Sequence, residues 1–182
     1  PHMNVITPVD YNQTYRAIIE CTKVNEPFYI RFYRDNSPNY TNPKAPFKFG
    51  KADTLYEGSD CTIIASGLMV WESMMALEML AKDNISVRLI NMHTIKPIDR
   101  DAIIKAAKDT GCIVTCEDHQ KIGGLGGAVA EVLAQEYPAP VEFIGASDTF
   151  GESGKATELY EKYGISSRHI AEAVKRAIKR KK

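Results

Sequence analysis

Long apolar runs are missing from this chain. No stretch approaches the roughly 18 residues that a membrane-spanning helix needs, and no signal peptide is visible, so no membrane partner is read from it. An excess of charge of either sign is missing too. The 182 residues carry 23 Lys and Arg against 23 Asp and Glu, which gives no ground for binding nucleic acid or a membrane surface. Cysteine is sparse. Cys21, Cys61, Cys112 and Cys116 show no disulfide-scaffold spacing, so reduced thiols and a cytoplasmic location are expected. The hydrophobic share, 44%, suffices for one good core and a second partial one. Pro1, His2 and Met3 read as a cloning-tag remnant and stay outside the fold reasoning.

Residues 4–34 read as strand, helix, strand. Asn4 to Thr7 is a short apolar run stopped by Pro8, and Asp10 can cap the helix that follows. That helix places Tyr15, Ile18, Ile19 and Thr22 near one face. The run Phe28 to Tyr33 alternates, with Phe28, Ile30 and Phe32 on one side and Tyr29, Arg31 and Tyr33 on the other. Two strands and one helix cannot enclose a core, so this segment is expected to be the tail of a domain that begins upstream. Residues 35–46 hold three prolines and Asn36, Asn39 and Asn42, the composition of a stiff linker.

From residue 47 to 182 strands and helices alternate. Strands are expected over Thr62–Ser66, Val87–Met92, Cys112–Glu117 and Val141–Gly145. Helices are expected over Met69–Lys82, Arg100–Thr110, Leu125–Glu136, Thr157–Tyr163 and Ser167–Ile178, with Gly111 and Gly164 just past two helix ends. Near-continuous apolar strands between amphipathic helices predict an α/β domain of three layers (αβα) around a mostly parallel sheet.

The stretch 112–129, CIVTCEDHQKIGGLGGAV, releases Glu117, Asp118 and His119 at the end of an apolar strand, ahead of Gly123, Gly124, Gly126 and Gly127. Sites of open α/β sheets form at such carboxyl ends. The spacing G-G-x-G-G is not G-x-G-x-x-G and follows the third strand of the domain. It is read as allowing close helix packing or backbone approach at an interface, not as a dinucleotide cradle. His93 and His119 are read as hydrogen-bonded structural residues. Cys112, Cys116 and His119 are not read as a metal site, because both cysteines point into a core and no fourth ligand is evident. Arg31 is expected to pair with a neighbouring element. Arg34, at the end of the alternating run, suits either a phosphate or carboxylate ligand or a salt bridge that ties the linker. The cations Lys175, Arg176, Lys179, Arg180, Lys181 and Lys182 read as a solvated helix end.

Three motifs stand in order: INMHTIKPID at 90–99, EDHQKIGGLGGAV at 117–129 and DTFGESG at 148–154. With GKADTLYEGSDCTIIASG at 50–67, the chain from Asn4 onward resembles the C-terminal portion of transketolase, most closely the separately encoded C-terminal subunit typical of archaea and some bacteria. The β subunits of 2-oxo acid dehydrogenases and deoxyxylulose-phosphate synthases share an element resembling Ile95 to Asp99. They generally lack a DTFGESG counterpart.

The resemblance implies thiamine diphosphate held with Mg2+, and transfer of a two-carbon ketol unit between sugar phosphates. It implies a site between a diphosphate-binding domain on one subunit and a pyrimidine-binding domain on another, and a C-terminal domain that helps form a homodimer. On this reading residues 4–34 are the last strand-helix-strand of the pyrimidine-binding domain, and the diphosphate-binding N-terminal subunit is the partner. The family's activating glutamate and stacking aromatic precede this stretch, and neither Glu20 nor Glu26 has the matching context. The chain alone is therefore expected to be inactive and to hold neither cofactor nor metal. The resemblance places Arg34 at a sugar-phosphate contact. It leaves Glu117, His119, Gly123 and Gly124 as interface or structural positions.

Overall fold

The computed structural model describes residues 1–34 and 37–181. In chain order the elements are β1 (Asn4–Ile6), α1 (Tyr11–Cys21), β2 (Phe28–Ile30), β3 (Asp53–Tyr56), β4 (Cys61–Ala65), α2 (Met69–Lys82) and β5 (Val87–Asn91). They continue with β6 (Thr94–Lys96), α3 (Arg100–Thr110), β7 (Ile113–Gln120), α4 (Leu125–Glu136), β8 (Val141–Ala146), α5 (Ala156–Lys162) and α6 (Ser167–Lys179).

The main sheet has the order β3-β5-β4-β7-β8. β5, β4, β7 and β8 run parallel, and β3 is an antiparallel edge strand. Alternate residues feed two cores, which is why the strands read as continuous apolar runs. Cys61, Ile63, Ala65, Cys112, Val114 and Cys116 face α2 and α6. Ile64, Ile90 and Ile113 face α3 and α4. The three layers are those the apolar pattern predicts. Gly111 and Gly164 close their helices at φ of +72° and +70°, a conformation glycine adopts without a Cβ clash.

A second sheet has the order β2-β1-β6. β1 pairs β2 in parallel and β6 antiparallel, so residues 4–34 share a sheet with the segment that follows His93. Ile6, Ala17 and Phe47 form a small core beneath it. Residues 37–46 are tied onto α1. The Asp10 carboxylate caps α1 through the Gln13 amide at 2.8 Å and also accepts from the amides of Tyr40 and Thr41 at 2.9 and 2.6 Å. The expected linker residues Asp35 and Asn36, and Lys182 of the basic tail, lie outside the described residues.

The apolar face expected on α1 is present but looks outward: Tyr15, Ile18 and Ile19 are exposed, and Gln13 and Ala17 are buried. The reason is polar, since Gln13 bonds to Val9, Asn91 and Asp53. The alternation of 28–33 stops after Ile30, because Arg31 turns to Asp118 and Tyr33 turns to Val9, which leaves Phe32 exposed. The short strands β3 and β6 were not foreseen, and β7 runs on past Glu117 through a register shift between Cys116 and Gln120.

Candidate functional site

The order of strand addition reverses between β4 and β7. β5 is reached from β4 on one side, and β7 lies on the other. The carboxyl ends of such neighbouring strands form the crevice where open α/β sheets bind ligands. Here the chain fills the crevice itself. Arg31 grips Asp118 with two prongs, Nη1 to Oδ1 at 2.5 Å and Nη2 to Oδ2 at 3.0 Å. Burial works against the Arg31 charge, but the hydrogen bond and charge of Asp118 outweigh it and hold the guanidinium above its ordinary range. The Tyr33 hydroxyl donates to the Val9 carbonyl at 2.6 Å. Gly67, at φ +55°, lies so close beneath Thr7 and Tyr33 that a Cβ there would meet the Thr7 methyl at 2.8 Å.

Glu117 is fully buried and caps α4. Its carboxylate accepts from the amides of Leu125 at 2.7 Å and Gly126 at 2.9 Å, a favourable place for a negative charge at a helix N-terminus. His119 Nε2 lies 3.1 Å from the same carboxylate, and its Nδ1 lies 2.8 Å from the Gln120 carbonyl. A carbonyl only accepts, so Nδ1 donates, and the Nε2 contact needs one proton between the two groups. Burial raises the Glu117 carboxyl, while the Gly126 amide, His119 and the Leu125 amide pull it back.

This arrangement explains two glycines of the loop. A Cβ on Gly124 would stand 1.9 Å from Glu117 Oε2 and 2.6 Å from His119, and one on Gly126 would stand 2.2 Å from the Phe143 ring. Gly123 turns the chain at φ +75°. Glu117, His119, Gly123 and Gly124 are thus brought together as one helix-capping unit.

His93 lies apart from that unit, under α1. It is fully buried against Phe47, with ring centroids 4.3 Å apart, and its Nδ1 lies 3.0 Å from Thr94 Oγ1. Its Nε2 has no hydrogen-bond partner and stands 3.6 Å from Asp53 Oδ2. Burial, helped by the nearby Arg16 charge and opposed by Asp99, pushes the imidazole down to about 4. Asn91 and Gln13 complete this polar cluster, with Asn91 Nδ2 donating to Gln13 Oε1 at 3.2 Å.

Arg34 stands four residues beyond the end of β2 and is exposed. A hollow of about 260 Å³ is lined by residues on both sides of it in sequence, Phe32, Tyr33 and Ser37. Sequence reasoning foresaw a partner for Arg31 but not Asp118. It missed Gln13, Asp53 and Asn91 altogether. A polar residue at the position of α1 that faces the sheet was the one available signal for that cluster.

Residues 50–170 match the family model of the transketolase C-terminal domain. The chain belongs to the transketolase C-terminal domain family. It is similar to a 6-deoxy-6-sulfo-D-fructose transketolase subunit of Clostridium sp. (strain MSTE9), 39% identical over all of this chain and 56% of that protein. It is also similar to a putative transketolase C-terminal section of Methanocaldococcus jannaschii, 44% identical over 99% of this chain and 57% of that protein. A solved split-gene transketolase, described as an inactive β4 tetramer, superposes with a TM-score of 0.97 at 41% identity, covering all of this chain and 60% of that one. The chain therefore spans a little over half the length of these relatives.

The transketolase resemblance implies a cofactor held with Mg2+, and three carboxylates of this chain that could meet such a group are already engaged in the fold. Mg2+ needs free oxygen ligands. Asp118 is bound to Arg31, Glu117 to the α4 amides, and Asp99 to Ala52, Ala102 and Lys51. Among the described residues no three His, Cys, Asp or Glu side chains gather as a ligand set, and no helix is long and apolar enough to cross a membrane.

Proposed function

We propose that this chain is the C-terminal section of a split transketolase, which moves a two-carbon ketol unit between sugar phosphates. It works with a diphosphate-binding subunit and with thiamine diphosphate and Mg2+ held outside this chain. The observation that carries the reading is the commitment of the groups at the carboxyl edge. Arg31, Asp118, Glu117 and His93 are spent on folding bonds or buried, so the chemistry is supplied by other chains or by upstream residues. The fold then serves to hold the end of a pyrimidine-binding domain in place.

A second observation supports this reading. Tyr11, Tyr15, Ile18, Ile19, Tyr29 and Phe32 are all exposed on residues 4–34. Monomer surfaces rarely leave so many large apolar side chains together without a partner. We assign that surface to the upstream part of the same pyrimidine-binding domain. Arg34 contacts the anionic end of the sugar. A guanidinium offers its forked donors to the oxygens of any such anion, and one relative is named for a sulfo-sugar. The chain also self-associates, as the solved split-gene relative does.

Reconstitution tests the reading. The upstream segment of the relatives is placed before Asn4, and the diphosphate-binding subunit, thiamine diphosphate and Mg2+ are added. Ketol transfer from xylulose 5-phosphate to ribose 5-phosphate is then measured. Transfer is expected. A folded, cofactor-loaded assembly without transfer contradicts the reading and turns attention to 2-oxo acid or deoxyxylulose-phosphate chemistry.

A further inference from the structure

We infer that the cavity between α1, β3 and residues 40–46 binds a free amino acid with an apolar side chain. The inference goes beyond the transketolase reading and does not depend on it.

The cavity measures about 330 Å³, within the size range of small-molecule sites. Arg16 and Asp53 bring charge to it, and Tyr40, Leu55, Tyr56 and Met74 supply a largely apolar wall. The Tyr40 hydroxyl is buried and has no hydrogen-bond partner, so a polar atom on that wall is also unspent.

Neither charge is matched within the chain. Arg16 is tied by neutral oxygens: the Asn12 carbonyl at 3.0 Å, the Thr41 hydroxyl at 3.1 Å and the Ala45 carbonyl. A guanidinium has more N–H donors than these bonds use. The Asp53 side chain is 43% exposed, and its one ion-pair neighbour among the described residues is His93. Burial pushes that imidazole down to about 4, so at neutral pH it is uncharged and gives Asp53 no countercharge. Burial raises the Asp53 carboxyl, and Arg16, Lys48 and the Gln13 hydrogen bond only partly offset it.

Two opposite charges that stand apart on one apolar cavity select a zwitterion. A simple anion would meet Arg16 and be repelled by Asp53, and an organic cation the reverse. A neutral sugar would leave both charges uncompensated. An amino acid places its carboxylate on the forked donors of Arg16 and its ammonium on Asp53. Its side chain then lies against Leu55 and Met74, where burial of apolar surface adds affinity. The bound ligand bridges α1 in the first segment and β3 in the main sheet.

Calorimetric titration of the full chain with L-leucine, L-methionine and L-phenylalanine tests this. Two altered ligands accompany them: leucinamide, which lacks the carboxylate, and N-acetyl-L-leucine, which lacks the ammonium. Saturable binding of the free amino acids is expected. Each altered ligand is expected to bind about 10-fold more weakly or worse, the loss of one charge-assisted contact. Asp53→Asn keeps an oxygen for Gln13 but removes the charge, and is expected to bring the same loss. Ala45→Trp fills the cavity from its loop and is expected to abolish binding. Circular dichroism checks each fold, and Asp53→Asn carries the test if Ala45→Trp fails to fold. Absence of saturable binding by all three amino acids overturns the inference. So does equal binding of the free and altered ligands, or binding that Asp53→Asn and Ala45→Trp leave unchanged.

Discussion

Arg31 and Asp118, 87 residues apart, meet in a two-pronged ion pair that closes the crevice at the carboxyl end of the main sheet. The side chains are 26% and 12% exposed, so the pair is largely withdrawn from solvent. It is also the bond that fastens the end of the first segment to β7. A buried pair is costly to break on one side only, because the remaining charge is stranded.

Arg31→Ala is therefore expected to destabilise the fold by about 2–4 kcal/mol. The double change Arg31→Met with Asp118→Leu is expected to recover most of that loss. Urea unfolding of the single and double variants measures it. A loss no larger than that from breaking the exposed Arg100–Glu136 pair would contradict the role given to Arg31.

Gly124 and Gly127 are expected to answer the same substitution differently. Gly124→Ala pushes against Glu117 Oε2 and dislodges the carboxylate that caps α4, at a cost of about 2–4 kcal/mol. Gly127→Ala meets open space and is expected to be neutral or stabilising in the unassociated chain, by up to about 1 kcal/mol. Thermal unfolding at low protein concentration separates the two. Equal losses would mean that the cap does not depend on the room left at Gly124.

His93 sets a pH dependence whose sign is fixed. Burial depresses its folded pKa to about 4, against an ordinary 6.5, so between these values the unfolded chain binds the extra proton. The stability that His93 contributes is thus present above pH 6.5 and is lost as pH falls towards 4, on the order of 3 kcal/mol in all. Asp53, raised by burial, acts the other way: its contribution is present in acid and is lost as pH rises through its folded value. Unfolding free energy measured from pH 4 to 7 is expected to rise with pH. His93→Leu is expected to flatten that slope, and an unchanged slope would remove His93 as its cause.

Much of the architecture was legible because each inner strand of the main sheet is covered on both faces. Runs such as Thr62 to Ala65 and Cys112 to Cys116 have no solvent side to encode, so they read as unbroken apolar stretches. The glycines that end α3 and α5 were legible because only the left-handed turn calls for them. β3 and β6 were not, since Asp53–Tyr56 and Thr94–Lys96 are short edge segments whose pairing is decided by partners far along the chain. The stripe of α1 was only half legible, for a related reason. Periodicity shows which residues share a face, but not which face the fold buries, and here the polar bonds of Gln13 decide. At the candidate site, the loop glycines were legible as a place of close approach. What they approach, Glu117 and His119 across a turn, needed coordinates.

Arg34 is expected to act on substrate and not on stability. In the reconstituted enzyme Arg34→Ala should raise KM for phosphorylated substrates by about 10- to 150-fold, the equivalent of one charge-assisted contact worth about 1.5–3 kcal/mol. Unphosphorylated acceptors should be little affected. Equal losses with both classes would refute the contact.

The central claim is that this chain supplies structure and an anion contact while the cofactor is held elsewhere, and calorimetric titration tests it most directly. Thiamine diphosphate with Mg2+ is titrated into the chain alone, and then into the chain with its upstream segment and the diphosphate-binding subunit. No heat of binding to the chain alone, and saturable binding to the assembly, is the result expected. Saturable binding to the chain alone would contradict the account.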